Sequence, residues 1–260
     1  MTLVRVSREE SVATLLLDRP DARNALSVQM CEDIVVALHE IGSDPDARSC
    51  VIRGAGSVFC SGADFAAVSG ASGVDFVPAF ERMLESVARC SLPTVACIHG
   101  AALGGGLQLA TVCDFRIVAD DAKVGIPSAK LGILVNFENV QRLVLLAGIA
   151  VAKEVLMTAR TYSGKEAAAV GLATRSVPAD ELEDVSYDYA EHVASLAPLS
   201  VRGTKRSIQV VVDHLASVRG SHPDSVAAID RLVVEAYQSE DLQEGIKAMS
   251  EKRSPRFTGR

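Results

Sequence analysis

The sequence predicts an α/β fold, a core of strand and helix units that carries a helical carboxy-terminal region. Three observations predict it. Short β-branched, apolar runs recur through the first half and are separated by helix-like stretches, the pattern of βαβ units. Right-handed crossovers then make the sheet largely parallel. From about 138 to 252 helical patterns dominate instead, and only "ATRSV" (173–177) reads as a strand.

The elements follow in order. "SVATLLLD" (11–18) is a buried strand, and "RPDARNALS" (19–27) supplies turn chemistry through Pro20, Asp21 and Asn24. From Ser27 the residues Cys31, Ile34, Val35, Leu38 and Ile41 keep helical spacing as far as "GSDPDA". "SCVIRGA" (49–55) and "TVACIHG" (94–100) are strands, with a Gly/Ser/Ala-rich segment and a helix near 76–90 between them. "FRIVAD" (115–120) is a further short strand. In the second half Val226, Ile229, Leu232, Val233, Ala236 and Tyr237 form one apolar stripe, and Leu242, Ile246 and Met249 form another. The division expected is a core over 1–197 and a helical region over 198–260.

Composition bounds the function. The 260 residues are 48% hydrophobic and 23% charged, ordinary values for a chain that can bury a core. A net charge of −7 argues against nucleic acid or an anionic membrane as partner. With no apolar run of about 18 residues and no charged-then-apolar opening stretch, neither membrane insertion nor a targeting segment is expected. Six cysteines without a CxxC pair suit reduced, buried thiols in a cytoplasmic protein, with no metal site.

Two small-residue stretches could meet an anionic oxygen. "FCSGADF" (59–65) is a turn after a strand, and "GAALGGGLQLATVCD" (100–114) places three glycines before a helix. Glycine lets a ligand approach the backbone, and two N–H groups aimed at one point would form an oxyanion hole. A phosphate loop is excluded, because no Lys-Ser or Lys-Thr follows the glycines. The dinucleotide pattern fails too, since Leu109 stands where its third glycine belongs. Composition and spacing leave a packing turn and an anion or carbonyl site both open.

The stretches "RPDARNALS", "FCSGADF", "GAALGGGLQLATVCDFRIV", "GIPSAKLGI", "QRL" and "EGIKAMSEKRSPRF" stand in the order and at the separations of the enoyl-CoA hydratase (crotonase) family, which the chain resembles over its whole length. The resemblance implies the crotonase (ClpP/crotonase-like) fold of stacked ββα units, with carboxy-terminal helices that drive assembly of a homotrimer or hexamer. It implies an acyl-CoA or enoyl-CoA ligand of fatty-acid metabolism and no other cofactor. It also implies a thioester oxygen held by the N–H groups of Ala63 and Gly105, and CoA lying along Ala63, Asp64, Phe65 and Ala66.

The chain departs from that family where hydration needs carboxylates. Family hydratases use two glutamates, at the positions of Gln108 and Ser128. Glutamine orients water but cannot take its proton near neutral pH, and a lone serine hydroxyl is a poor base. A glycine-rich run of the hydratases is replaced here by "LVNFENVQR" (134–142), which puts Phe137 and Glu138 at the acyl end. Glutamine after the glycines together with "PxxKxG" downstream resembles mycobacterial-type members that bind long acyl-CoA without hydrating it. Glu138, beside Asn136, is either a displaced acid/base or a first-turn helix acid facing solvent. The ordinary roles of the others are plain: Ser128 a helix N-cap, Lys130 an exposed helix residue, Asp64 a turn former, Cys60 structural, His99 a satisfied core residue.

Overall fold

The computed structural model describes residues 2–64, 73–217 and 222–260. By its packing the chain forms two units, one of 1–124 with 162–209 and one of 125–161 with 210–260. They interleave in sequence, so neither coincides with the division at 197.

The first unit is built on a six-stranded sheet in the order β1 (Val4–Glu9), β2 (Val12–Leu17), β3 (Ser49–Gly54), β4 (Thr94–Ile98), β6 (Phe115–Ala119) and β9 (Arg175–Val177). Only the β1–β2 hairpin is antiparallel, with Val4 opposite Leu17; the remaining pairs are parallel. β4 is buried at every residue, as a parallel strand covered on both faces should be. Helix α1 (Val28–Ser43) begins at Ser27, whose hydroxyl accepts the Met30 N–H at 3.2 Å. Its buried stripe of Met30, Cys31, Ile34, Leu38 and Ile41 packs against α2 (Gly73–Ala88) and the β1–β2 hairpin. Each such side chain contributes about 1.5–3 kcal/mol of burial. The helix α6 (Leu182–Ser195) packs on β3, β4 and β6.

A second, three-stranded sheet joins β5 (Ala101–Leu103), β7 (Lys123–Gly125) and β8 (Thr161–Ser163), and the short helix α3 (Gly105–Thr111) follows β5 directly. β8 corrects the expectation that 173–177 is the sole strand of the second half; three residues are too few to show a period. β1 was also unforeseen, because only Val4 of it is buried and the rest of "VRVSRE" is exposed.

The second unit is helical. α4 (Phe137–Met157) carries a break at Gly148, where φ is 80°. The short helix Pro127–Leu131 packs against α9 (Glu240–Ser250), and both α4 and α9 touch α8 (Pro223–Gln238). Close approach requires glycine at two places: a Cβ on Gly132 would stand 2.9 Å from the Asp241 carbonyl carbon, and one on Gly245 would stand 2.5 Å from the Leu131 oxygen. The helices α5 (Gly164–Ala169) and α7 (Pro198–Leu215) complete the chain. α5 opens on a capping box in which Ser163 and Glu166 satisfy each other's backbone N–H groups.

Candidate active site

Two turns at the carboxyl ends of β3 and β4 lie against one another. The turn of residues 60–64 is stitched on both sides by backbone bonds. On one side the Cys60 N–H donates to Ala101 C=O and the Leu103 N–H donates to Cys60 C=O, each at 3.0 Å. On the other, Ser61 N–H donates to Arg23 C=O, Leu26 N–H to Gly62 C=O, and Asp64 N–H to Leu26 C=O, at 3.1, 2.8 and 2.8 Å. Leu26 thus brackets Ala63 with a parallel bridge. The Ala63 N–H donates to no group among the described residues. Neither does that of Gly105, which opens α3 and so has no carbonyl four residues back.

Glycine makes this contact possible. A Cβ on Gly62, where φ is 106°, would lie 2.8 Å from the Leu103 oxygen and 3.4 Å from the Gly105 nitrogen. One on Gly106 would lie 2.4 Å from the Cys60 oxygen, closer than any side chain tolerates. Gly104 turns the chain at φ 53°, ψ −120°, a conformation that suits glycine. A Cβ on Gly105 would meet Leu26 Cδ1 and Phe80 Cε2 at 3.3 Å, so the apolar side chains of Leu26 and Phe80 lie behind the donor. Two unspent N–H groups on adjoining turns can together stabilise charge on one oxygen.

Other residues singled out in the sequence fall as follows. Gln108 is half-buried on α3, its own N–H bonded to Gly104 C=O at 3.1 Å. Cys60 is fully buried and its thiol is pushed up to about 12 by burial, which makes it inert, as a structural cysteine should be. Phe65 and Ala66 lie outside the described residues. Asp64 ends the turn, and its carboxylate accepts from Arg19 Nη1 at 2.6 Å, an ion pair across 45 residues that the sequence did not suggest. His99 is half-buried and not in the core. Its Nε2 meets the Gly56 carbonyl at 3.1 Å, and burial lowers its pKa. It lines a cavity of about 630 Å³ with Arg53, Glu183 and Tyr187, to which Ala63, Gly105 and Gln108 do not contribute.

In the second unit Ser128 is half-buried in the helix Pro127–Leu131 and is not its N-cap. Pro127, with φ fixed, takes the first helical position, so the cap falls on Ile126, which makes no side-chain bond. Lys130 is exposed. Glu138 is half-buried in the first turn of α4, two residues after the true cap Asn136, whose side-chain Oδ1 accepts the Asn139 N–H at 3.2 Å. Phe137 is likewise half-buried.

Sequence reasoning missed three residues. Arg19, Asn24 and Leu26 hold the 60–64 turn, yet "RPDARNALS" signals only a turn. Asn24 is fully buried at φ 54°, preceded by Arg23 at φ 51°. Consecutive left-handed residues other than glycine cost of order 1–3 kcal/mol each, and persist where surrounding bonds fix them.

Comparisons with known proteins show the family and the fold. A family model described as enoyl-CoA hydratase/isomerase matches residues 7–260. A probable enoyl-CoA hydratase of Mycobacterium tuberculosis is 34% identical over 258 residues, covering 99% of this chain and 98% of that protein. The peroxisomal Δ(3,5)-Δ(2,4)-dienoyl-CoA isomerase of Arabidopsis thaliana is 32% identical, over 99% of this chain and 96% of its own. Among solved structures, methylmalonyl-CoA decarboxylase complexed with 2S-carboxypropyl-CoA superposes with a TM-score of 0.89 at 26% identity, covering 99% of this chain and 98% of that one. The chain has the crotonase fold, and it belongs to the enoyl-CoA hydratase/isomerase family.

Proposed function

We propose that this protein binds acyl-CoA or enoyl-CoA thioesters in fatty-acid metabolism and hydrates them weakly or not at all. The observation that carries this is the pair of unspent N–H groups, Ala63 and Gly105, on turns that glycine lets touch. Aimed at a thioester oxygen, they would polarise the carbonyl and stabilise the enolate charge that forms when the β-carbon is attacked. CoA would run along the backbone of residues 63–66. The structural relative that holds 2S-carboxypropyl-CoA supports a CoA ligand for this fold. Coenzyme A enters as part of the ligand, and the reading calls on no further cofactor.

The chemistry after polarisation needs a base for water and an acid for the α-carbon. The two positions expected to supply them hold Gln108 and Ser128, neither of which changes protonation near pH 7. Each acid/base group is worth about 10²–10⁴ in rate, so binding should persist while hydration is slow. A second reading has Glu138 as a displaced acid/base. The observation favouring it is that Glu138 is half-buried, where a purely solvating first-turn acid would be exposed.

Titration calorimetry with saturated acyl-CoA beside a crotonyl-CoA hydration assay separates the two. Binding with turnover far below about 10 s⁻¹ is the result expected. Ordinary turnover that Glu138→Gln removes would establish the second reading. Ala63→Pro deletes one donor and should weaken carbonyl polarisation, by roughly 10²–10³ in rate where any turnover exists.

The same reading includes a trimer or hexamer. Ile208, Val211 and Leu215 of α7 are all more than half exposed and share one face of the helix, an apolar row that a second copy would cover. Light scattering should give three or six times 27.4 kDa. A cytoplasmic setting suits six free, buried cysteines.

A further inference from the structure

We infer that Arg19 and Asn24 are positioning residues that set the geometry of the oxyanion turn, an inference that rests on the reading of Ala63 as a donor. Asn24 is 0% exposed and spends its whole amide. Its Oδ1 accepts the Arg19 N–H at 3.0 Å, and its Nδ2 donates to the carbonyls of Ala55, Val58 and Phe59 at 2.8, 2.9 and 3.2 Å. Those three carbonyls define the loop that leaves β3 and delivers Cys60. The loop has no slack: a Cβ on Gly54 would stand 2.4 Å from the oxygens of both Val58 and Phe59 and 2.7 Å from Asn24 Nδ2.

Arg19 closes the brace from the far end of the turn. Its Nη1 donates to the Asp64 carboxylate at 2.6 Å and to the Ala25 carbonyl at 3.3 Å. Ala63 is therefore held between a residue pinned through its side chain (Asp64) and a loop pinned by Asn24, while Leu26 bonds the backbone on either side of it. All of these bonds are made to the protein's own carbonyls, amides and carboxylate. Their effect is on where the Ala63 N–H points. A hydrogen bond weakens steeply as its angle closes, so a small tilt of this turn costs polarisation before it costs fold.

The test uses the absorption red-shift of a conjugated arylenoyl-CoA on binding, which reports carbonyl polarisation directly. Wild type must show the shift; if it binds without one, the donor reading itself fails and the brace is not at issue. Arg19→Gln removes the ion pair at a partly exposed site and should fold. Asn24→Gly keeps the left-handed backbone and deletes the grip. Leu38→Ala, in the core of α1, is a control for general destabilisation. The red-shift is expected to fall by about half or more in Asn24→Gly and measurably in Arg19→Gln, with the dissociation constant raised about tenfold in the former. Leu38→Ala should keep the full shift despite a lower Tm. A full red-shift in Arg19→Gln and Asn24→Gly, or in Arg19→Gln alone where Asn24→Gly does not fold, overturns the inference. So does a shift that tracks Tm across all the variants.

Discussion

The turn at 60–64 and the segment at 127–138 are held in different ways. The first presents backbone donors: five stitching backbone hydrogen bonds run from 60–64 to residues 23–26 and 101–103, glycine allows the chains to touch, and the side chains of Arg19 and Asn24 brace the turn from behind. The second presents side chains, among them Ser128, Phe137 and Glu138, all half-buried on short or first-turn helix. Backbone donors do not depend on residue type, so a carbonyl site survives wide substitution. Acid/base chemistry depends wholly on type, and in the proposed function the two positions that would supply it hold Gln108 and Ser128, which are not carboxylates. On that reading the protein keeps its grip on a thioester while losing, or relocating, what it does to it.

The largest expected effect strikes the backbone-held region. Gly106→Ala drives a Cβ to 2.4 Å from the Cys60 oxygen and 2.9 Å from the Cys60 Cβ, so the two turns must separate. Overpacking of this sort costs about 1–3 kcal/mol, and more against rigid backbone. Acyl-CoA binding should vanish in calorimetry and Tm should fall by several degrees. Ser128→Ala is the counterpart in the other region. The Ser128 hydroxyl bonds to nothing among the described residues, so stability should move by less than about 0.5 kcal/mol. Equal losses in the two variants would erase the distinction.

Asn136→Ala gives an intermediate effect. It removes the α4 cap and the Asn139 Nδ2 contact at 2.6 Å, costing about 1 kcal/mol, or roughly 2–4 °C in Tm by calorimetry. Should Glu138 act in catalysis, this variant would also disturb its turn and lower whatever turnover exists. Cysteine labelling sharpens the other side. All six thiols are buried, and burial pushes Cys31, Cys60 and Cys113 up to about 12. A colorimetric thiol reagent at pH 8 should find no fast-reacting group in native protein, Cys60 beside the candidate site included.

Much of this was legible in the sequence, and what was not has a physical reason. β2, β3, β4, β6 and α1 carry apolar runs or stripes that burial enforces, and their bounds fall close to those read from "SVATLLLD", "SCVIRGA", "TVACIHG", "FRIVAD" and the Ser27 cap. The two glycine turns were visible as places where backbone is approached closely. The partners of Asp64 and Asn24 were not, since Arg19–Asp64 spans 45 residues and Asn24 reaches carbonyls 31 to 35 residues away. No local pattern encodes a contact of that separation. Ser128 misled because serine before an apolar run suggests a cap, whereas Pro127 had already fixed the helix start one residue earlier.

The smallest effect distinguishes the two kinds of anchorage by pH. At the carboxy terminus Glu244 accepts from Arg253 Nη1 and Nη2 at 2.5 and 2.8 Å and from the Arg256 N–H at 2.8 Å. These bonds, Arg253 first, lower its pKa from 4.5 to about 2. Because the folded value is depressed, the anchorage is complete above the unfolded value and is lost as pH falls through the folded one. The Arg256 amide should therefore hold its hydrogen-exchange protection from neutral pH to about 4.5 and lose it progressively toward pH 2. The Cys60 amide, bonded to the Ala101 carbonyl at 3.0 Å on the side of the turn that no carboxylate holds, has no titrating acceptor and should keep its protection over the same range. Glu244→Gln should abolish the pH dependence at Arg256 and leave Cys60 untouched. Protection lost at both amides together would mean global acid unfolding, and the contrast between side-chain and backbone anchorage would not account for it.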